Sequence, residues 1–299
     1  MSSFTKHSFA QQVQEMITLI HDATKYEILP RWQEVAPEEK TSFIGFRDLV
    51  TIADKETSRY ILERIRPKLP GSYSEEHKYA DRFNHDLLWQ IDPIDGTQEF
   101  CEGYAEGYTT LAGLLKRRED GSYSSVAGII NRPALKTVWY TDGSGEVVFL
   151  RDGNKQPLPT YECKEILVYQ RKVDNLVGIT EFLPVLRNHF CLPARIIQAG
   201  GSGASITDLL EGKINLIIFN ANISKDWDVG MADPIIKALG GFICDLDGNE
   251  LTYNRPDVAS LGEPYNLRGY VISIVFKKEE ILPLIKQDLA FDDRLNSKK

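Results

Sequence analysis

The sequence has no apolar run of the ~18 residues that a membrane-crossing helix needs, so no helical span is expected. It has no basic excess either. Lysine and arginine number 35 against 43 aspartates and glutamates, a net charge of −8, which argues against a broad basic face for duplex nucleic acid. The four cysteines, Cys101, Cys163, Cys191 and Cys244, lack C-x-x-C spacing and are expected to be buried free thiols. The polar opening Met1-Ser2-Ser3-Phe4-Thr5-Lys6 lacks the charged-then-apolar plan of a signal peptide, and a cytoplasmic location is expected. There is no fixed-period repeat and no low-complexity tract. No coiled-coil heptad runs through it, which leaves monomer and homodimer both open.

What is present centres on Trp89-Gln90-Ile91-Asp92-Pro93-Ile94-Asp95-Gly96-Thr97-Gln98-Glu99-Phe100. Leu87, Leu88, Trp89 and Ile91 read as a buried strand that delivers Asp92 to a sheet edge. Pro93 fixes one backbone angle and Gly96 tolerates a conformation other residues resist, so the Asp92 and Asp95 carboxylates converge. Close negative charges invite a cation. Hard oxygen donors, with the Ile94 carbonyl between them, suit Mg²⁺ better than zinc or copper. Taken alone, D-P-x-D-G is more often a surface turn.

With 299 residues, 42% of them hydrophobic, the chain is long enough for one large core or two modest domains. Ser8 and Gln11 form a capping box ahead of Phe9, Val13, Met16, Ile17 and Ile20, which predicts a helix running towards Pro30. The polar segment Glu34 to Thr41, with Pro37, reads as a mobile loop before Phe46 to Asp54. Ile61, Leu62 and Ile65 then trace a second helix that stops before Pro67. Asp54 falls in its first turn, either as a cap partner of Thr51 or as a third acid near the metals. Ser72-Tyr73-Ser74 reads as a strand leading to Glu75 and Glu76, and strand alternation would let only one of those acids face a pocket.

Beyond the central stretch, apolar runs at 109–115, 126–130, 137–140 and 147–150 are separated by Asp120-Gly121, Asp142-Gly143 and Asp152-Gly153, predicting an antiparallel meander. Pro157 and Pro159 mark a boundary between an N-terminal half, 1–160, and a C-terminal half, 161–299. The second half opens with a strand at 166–169, a helix at 180–188 and a strand at 195–198. Ala199-Gly200-Gly201-Ser202-Gly203-Ala204-Ser205 then makes a glycine-rich turn before a helix bearing Ile206, Leu209 and Leu210 and ending at Gly212. Its N–H groups would face an anion or sugar hydroxyl. The turn lacks the Lys-Ser/Thr ending of a P-loop and the full G-x-G-x-x-G spacing, which disfavours a nucleotide kinase or dehydrogenase. A strand at 215–219 leads towards Asp226-Trp227-Asp228, where Asp228 opens a helix expected to close at Gly240-Gly241. A helix-start aspartate is usually a cap. A surface helix is expected over 277–289, with a frayed tail.

In combination, Ser74-Glu75-Glu76, Trp89 to Phe100, Gly200 to Ser205, and Trp227-Asp228 through Pro234 to Gly240-Gly241 resemble the inositol monophosphatase superfamily of Mg²⁺-dependent, lithium-sensitive phosphatases. The resemblance runs from about residue 45 to about 255. It implies mixed α and β structure, a layered α-β-α-β-α sandwich of two α/β halves with the active site between them. It implies Glu75, Asp92, the Ile94 carbonyl, Asp95 and Asp228 as ligands of two or three Mg²⁺ ions, and Asp54, Glu75 and Thr97 as the catalytic set. Glu76 would face outward or support the ligands from behind. Asp95, Gly96, Thr97, Gly201, Ser202 and Asp228 would meet a small phosphorylated substrate, with the Gly96 and Thr97 N–H groups on the phosphate. Two Mg²⁺ ions about 4 Å apart activate water, orient a phosphate monoester and neutralise the leaving alkoxide.

Three details resemble the 3′(2′),5′-bisphosphate nucleotidase branch: the form of Gly96 to Gly103, the glycine turn before Leu209-Leu210-Glu211-Gly212, and Ser224-Lys225-Asp226-Trp227-Asp228. The inositol branch usually carries G-T-x-N-F and a carboxylate before W-D, where this chain has Asn220-Ala221-Asn222. The nucleotidase branch often has lysine where Gln98 stands. Arg195 or Lys225 would contact a second phosphate, unless each is solvated surface charge. The expected reaction is adenosine 3′,5′-bisphosphate to AMP and phosphate. The alternatives are an inositol monophosphatase or inositol polyphosphate 1-phosphatase, and, from another class, a catalytically silent relative that binds a ligand.

Overall fold

The computed structural model describes residues 8–40, 48–171, 179–219, 224–254 and 269–289. Helix α1, Phe9–Ala23, starts as its sequence predicts: Ser8 Oγ accepts from the Gln11 N–H at 3.4 Å, and Gln11 Oε1 accepts from the Ser8 N–H at 3.2 Å. Past Ala23 the chain tightens into a π-helical turn, Thr24–Ile28, and a 3₁₀ turn, Leu29–Arg31, that holds Pro30. Helix α2, Ile52–Ile65, buries Ile61, Leu62 and Ile65 as expected. The two helices bury their apolar stripes against Trp89, Ile91, Ala112, Leu114, Ala127 and Ile129 of the larger sheet.

That sheet is the expected four-stranded meander, extended by two strands before it and one after it. Its strands are β3 Tyr73–Ser74, β4 Leu87–Asp95, β5 Thr109–Arg117, β6 Tyr123–Arg132, β7 Thr137–Thr141, β8 Val147–Arg151 and β9 Asn154–Gln156, neighbours in that order. Only the β3–β4 pairing is parallel among these neighbours. The second sheet runs β11-β10-β12-β14-β13, from β10 Ile166–Arg171, β11 Ala194–Ala199, β12 Leu216–Phe219, β13 Phe242–Cys244 and β14 Tyr270–Ser273. Here β10 pairs parallel with β11 and β12, while β14 is antiparallel to β12 and β13.

Helices α5 Ser202–Leu210, α6 Asp226–Val229 and α7 Ala232–Ala238 contact strands of the larger sheet, and α5 and α7 also contact β12 and β13 of the smaller one. Helix α4, Ile179–Phe190, packs on β10 and β11 and on the last helix, α8 Lys278–Asp288. The layers therefore read α1/α2, large sheet, α5/α6/α7, small sheet, α4/α8, which is the expected α-β-α-β-α sandwich. One continuous core joins Leu111, Leu115, Ile130 and Trp139 to Trp227, Ile236, Ile217 and Ile272. Its tightest approach is at Gly128, where a Cβ would lie 2.8 Å from the carbonyl carbon and 3.0 Å from the Cα of Met231. Gly128→Ala is expected to cost about 3 kcal/mol by forcing β6 and α7 apart, read as a lowered Tm in a thermal melt.

Several expectations are corrected. The segment read as a mobile loop contains strand β1, Glu38–Lys40, paired antiparallel with β2, Asp48–Val50, while Thr41, Phe46 and Arg47 lie outside the described residues. The helix expected from Asp228 to Gly240-Gly241 is two helices, α6 and α7, broken at Gly230-Met231 where the backbone crosses Gly128. Of the cysteines only Cys244 is buried; Cys101 and Cys163 are half-buried, and Cys191 is exposed in the turn after α4. Asn220-Ala221-Asn222 and the tail beyond Leu289 lie outside the described residues. Among the described residues no helix is long and apolar enough to cross a membrane.

Candidate active site

Strand β4 ends in an irregularity that aims its acids. Asp92 pairs with Leu111 and Asp95 with Thr109, so the register shifts between the two aspartates, across Pro93 and Ile94. Gly96 follows at φ 85°, left-handed backbone that admits glycine readily, and helix α3, Thr97–Cys101, begins at once. The result brings oxygen atoms of Asp92, Asp95 and Asp228 within 4.8 Å of one another. Asp228 reaches this trio from the third position of α6, where its Oδ2 also accepts from the Lys225 N–H at 3.0 Å. Its capping role and its place in the cluster coexist.

Asp95 is the most firmly held of the three. Its Oδ1 accepts from the Ser202 N–H at 3.0 Å, and its Oδ2 from the Gly203 N–H at 2.7 Å and from Thr109 Oγ1 at 3.0 Å. A Cβ on Gly201 would lie 2.7 Å from Asp95 Cγ, so only glycine lets the turn approach this closely. The glycine-rich turn does aim N–H groups at an anion, but the anion is the protein's own. Gly201 donates its N–H to Gly107 O at 3.0 Å, so neither its N–H nor that of Ser202 is directed at a ligand, contrary to the expectation for this turn.

Asp92 is buried, and its Oδ1 has no hydrogen-bond partner. Burial, then the charges of Glu75, Asp95 and Asp228, push its pKa well above the ordinary range. Burial likewise raises Asp228 to about 8, with Asp95 and Glu75 adding to the effect and Lys225 opposing it. The donor set is all hard oxygen, crowded and under-neutralised, and it fits a divalent cation such as Mg²⁺.

Glu75 flanks the trio. Its N–H bonds Ile91 O at 2.9 Å, and its Oε1 accepts from Lys225 Nζ at 2.8 Å and Lys40 Nζ at 3.1 Å. Burial pushes this carboxyl up, but the two ammonium groups outweigh it and hold Glu75 well below the usual range. Glu76 does not face outward. Its side chain is 8% exposed and pairs closely with the same Lys40. Alternation fails because β3 stops at Ser74: the two acids lie in a turn closed by the Ser74 N–H on His77 O and the His77 N–H on Ser74 Oγ, both at 3.1 Å.

Asp54 takes the capping role with Thr51 and also lies within reach of Thr97. Its Oδ2 accepts from the Thr51 N–H at 2.7 Å and from Thr51 Oγ1 at 2.5 Å, while Thr97 Oγ1 lies 3.3 Å from its Oδ1 and 3.1 Å from Ile94 O. Burial raises Asp54 to about 7 against the opposing pull of the Thr51 hydroxyl. Gln98 turns away and donates to Glu102 at 2.8 Å on an exposed face. Arg195 is surface charge, paired with Glu165 at 3.0 Å. Lys225 is not. Lys78 joins it, its Nζ 4.8 Å from the centre of the Trp227 ring and that of Lys225 5.7 Å. Sequence reasoning missed Lys40 and Lys78, and the only local sign of a needed cation was the doubled acid Glu75-Glu76.

The match to the inositol monophosphatase family covers residues 2–276. The chain belongs to this family. Among its curated relatives, 3′(2′),5′-bisphosphate nucleotidase 1 of Mus musculus is 30% identical over 221 residues, which cover 70% of this chain and 64% of the mouse protein. Inositol monophosphatase 3 of Xenopus tropicalis is 24% identical over 237 residues, 77% of this chain and 59% of that protein. Of solved structures, an IMPase of Thermotoga maritima aligns with TM-score 0.68 at 20% identity, covering 92% of this chain and 97% of that one. An IMPase/NADP phosphatase complexed with Mg²⁺ and phosphate aligns with TM-score 0.69 at 18% identity, over 93% and 96% of the two chains. These structural likenesses establish the family fold over nearly the whole chain.

Proposed function

We propose that the chain is a Mg²⁺-dependent phosphate monoester hydrolase whose preferred substrate is a 3′(2′),5′-bisphosphate nucleotide, acting in the cytoplasm. The observation that carries the hydrolase reading is the convergence of Asp92, Asp95 and Asp228, with an orphaned Asp92 oxygen inside the cluster. With the Ile94 carbonyl and Glu75 they would hold two or three Mg²⁺ ions. Bound there, the metal would supply Lewis-acid activation of water and neutralise charge on the phosphate.

The chain's own residues prepare the rest. The Thr97 hydroxyl, within reach of both Ile94 O and Asp54 Oδ1, orients the attacking water through its oxygen. Asp54, with its pKa near 7, is poised to take the proton at Oδ1. The Gly96 and Thr97 N–H groups, at the start of α3, would meet a phosphate oxygen. Phosphoryl transfer needs little more than such positioning. A catalytically silent role is disfavoured, because crowded buried carboxylates that never bind a cation cost stability.

The nucleotide preference is supported by the mouse relative's activity as named, by Lys225 and Lys40 beside the acids, and by Lys78 over the Trp227 ring, cations suited to a second phosphate. Phosphate release with Mg²⁺ should be fastest, by kcat/KM, on adenosine 3′,5′-bisphosphate in a panel with inositol 1-phosphate, inositol 1,4-bisphosphate and fructose 1,6-bisphosphate. Silence on every substrate would sink the enzyme reading, and a preference for inositol 1-phosphate would reassign the substrate. Lys225→Met is expected to raise KM for the nucleotide bisphosphate about tenfold and to alter inositol 1-phosphate turnover much less. Equal losses on both substrates would remove Lys225 from the specificity argument.

A further inference from the structure

A single buried cation stands behind the glycine-rich turn. Arg132, the last residue of β6, is 1% exposed. Its Nη2 donates to Glu106 O at 2.9 Å, Asp208 Oδ1 at 3.1 Å and Ala204 O at 3.4 Å, and its Nη1 lies 3.9 Å from Glu211 Oε1. These contacts tie three pieces together: the end of the large sheet, the turn at Glu106-Gly107, and both ends of helix α5. That turn is fastened to α5 a second time, by the Gly201 N–H on Gly107 O at 3.0 Å. Gly200 abuts the same place, where a Cβ would lie 2.5 Å from Gly107 Cα.

Helix α5 matters because its first N–H groups are the clamp on Asp95, through Ser202 and Gly203. If α5 slides or tilts, both Asp95 oxygens lose their direction. Gly201 fixes the front of the helix, and Arg132 fixes it from behind. All three hydrogen bonds leave one nitrogen, Nη2, while Nε and Nη1 make none. Nη2 sits one bond farther from the backbone than a lysine Nζ, so a lysine ammonium stops short of the same acceptors.

We propose that Arg132 is a positioning residue that sets the metal affinity of the site by bracing α5 against the Glu106-Gly107 turn, so that Asp95 stays aimed at Asp92 and Asp228. This rests on the reading of Asp95 as a metal ligand. Arg132 touches neither trio nor substrate in this scheme; it acts through α5.

The alternative is that Arg132 merely holds the fold, since among the described residues Asp208 and Glu211 would otherwise share only Lys213, at 3.3 and 2.8 Å. The two roles separate by experiment. Full-length Arg132→Lys keeps a positive charge near both acids but loses the reach of Nη2. Mg²⁺ binding is measured by calorimetry on the substrate-free protein, with Tm and steady-state kinetics alongside. Expected is a Tm close to wild type, Mg²⁺ binding about tenfold weaker, a lowered kcat and an unchanged substrate KM at saturating metal. Unchanged Mg²⁺ affinity in a folded Arg132→Lys would overturn the proposal. Should that variant fail to fold, Asp208→Asn decides, because it frees one anchor of the brace while leaving Arg132 in place: metal binding weakened about threefold supports the brace, and wild-type binding refutes it. Wild-type protein that binds no Mg²⁺ at all would instead defeat the hydrolase reading itself.

Discussion

Asp95→Asn is expected to lower Mg²⁺-dependent phosphate release by about a thousandfold while the circular dichroism spectrum stays that of the wild type. The side chain keeps its shape, but its charge is lost from a cluster whose oxygens lie within 4.8 Å of one another. Asparagine also turns one acceptor into a donor. Whichever way the amide is placed, its NH₂ meets an N–H of α5, Ser202 on one side or Gly203 on the other. That mismatch costs about 1–3 kcal/mol. Relief of the repulsion that raises Asp92 offsets part of it, so the variant is expected to fold. Activity near that of the wild type would show that Asp95 is not a metal ligand. A lost spectrum would show that its chief work is to pin α5.

The sequence and the structure agree where the signal is local. The Ser8 and Gln11 capping box, the Thr51 and Asp54 cap, the period-two strands of the meander and the turn after Asp95 each depend on residues a few positions apart, and each stands where expected. Disagreement begins with contacts that cross the chain. Lys40 meets Glu75 and Glu76 from 35 and 36 residues away, and Lys225 meets Glu75 across 150. No periodicity records such a pairing, so the Lys40 segment reads as a polar loop and the two glutamates as an alternating strand end. The glycine-rich turn shows the same limit in finer form. That its N–H groups would face an anion follows from glycine and helix physics, but that the anion is Asp95 requires the fold.

The same burial that readies the acids for a cation makes the metal-free protein sensitive to pH. Asp54 near 7 and Asp228 near 8 have folded pKa values above the ordinary 3.8, so between about 4 and 8 the folded state holds more protons than the unfolded one. Stability therefore falls as pH rises through that window, and these groups contribute nothing to the slope below it. Glu75 has the opposite sign: its lysines hold its pKa down, so its contribution persists to low pH. With chelator present, Tm is expected to drop by roughly 5–10 °C from about pH 5 to about pH 9. Mg²⁺ binds the deprotonated acids and competes with those protons, so saturating Mg²⁺ should raise Tm most at the alkaline end and least at the acid end. A thermal-melt series over pH, with and without Mg²⁺, checks both halves at once. A flat Tm with no response to Mg²⁺ would mean that Lys40 and Lys225 already neutralise the acids. In that case the tethered ammonium groups, not a metal, would be the cations this site was built to hold.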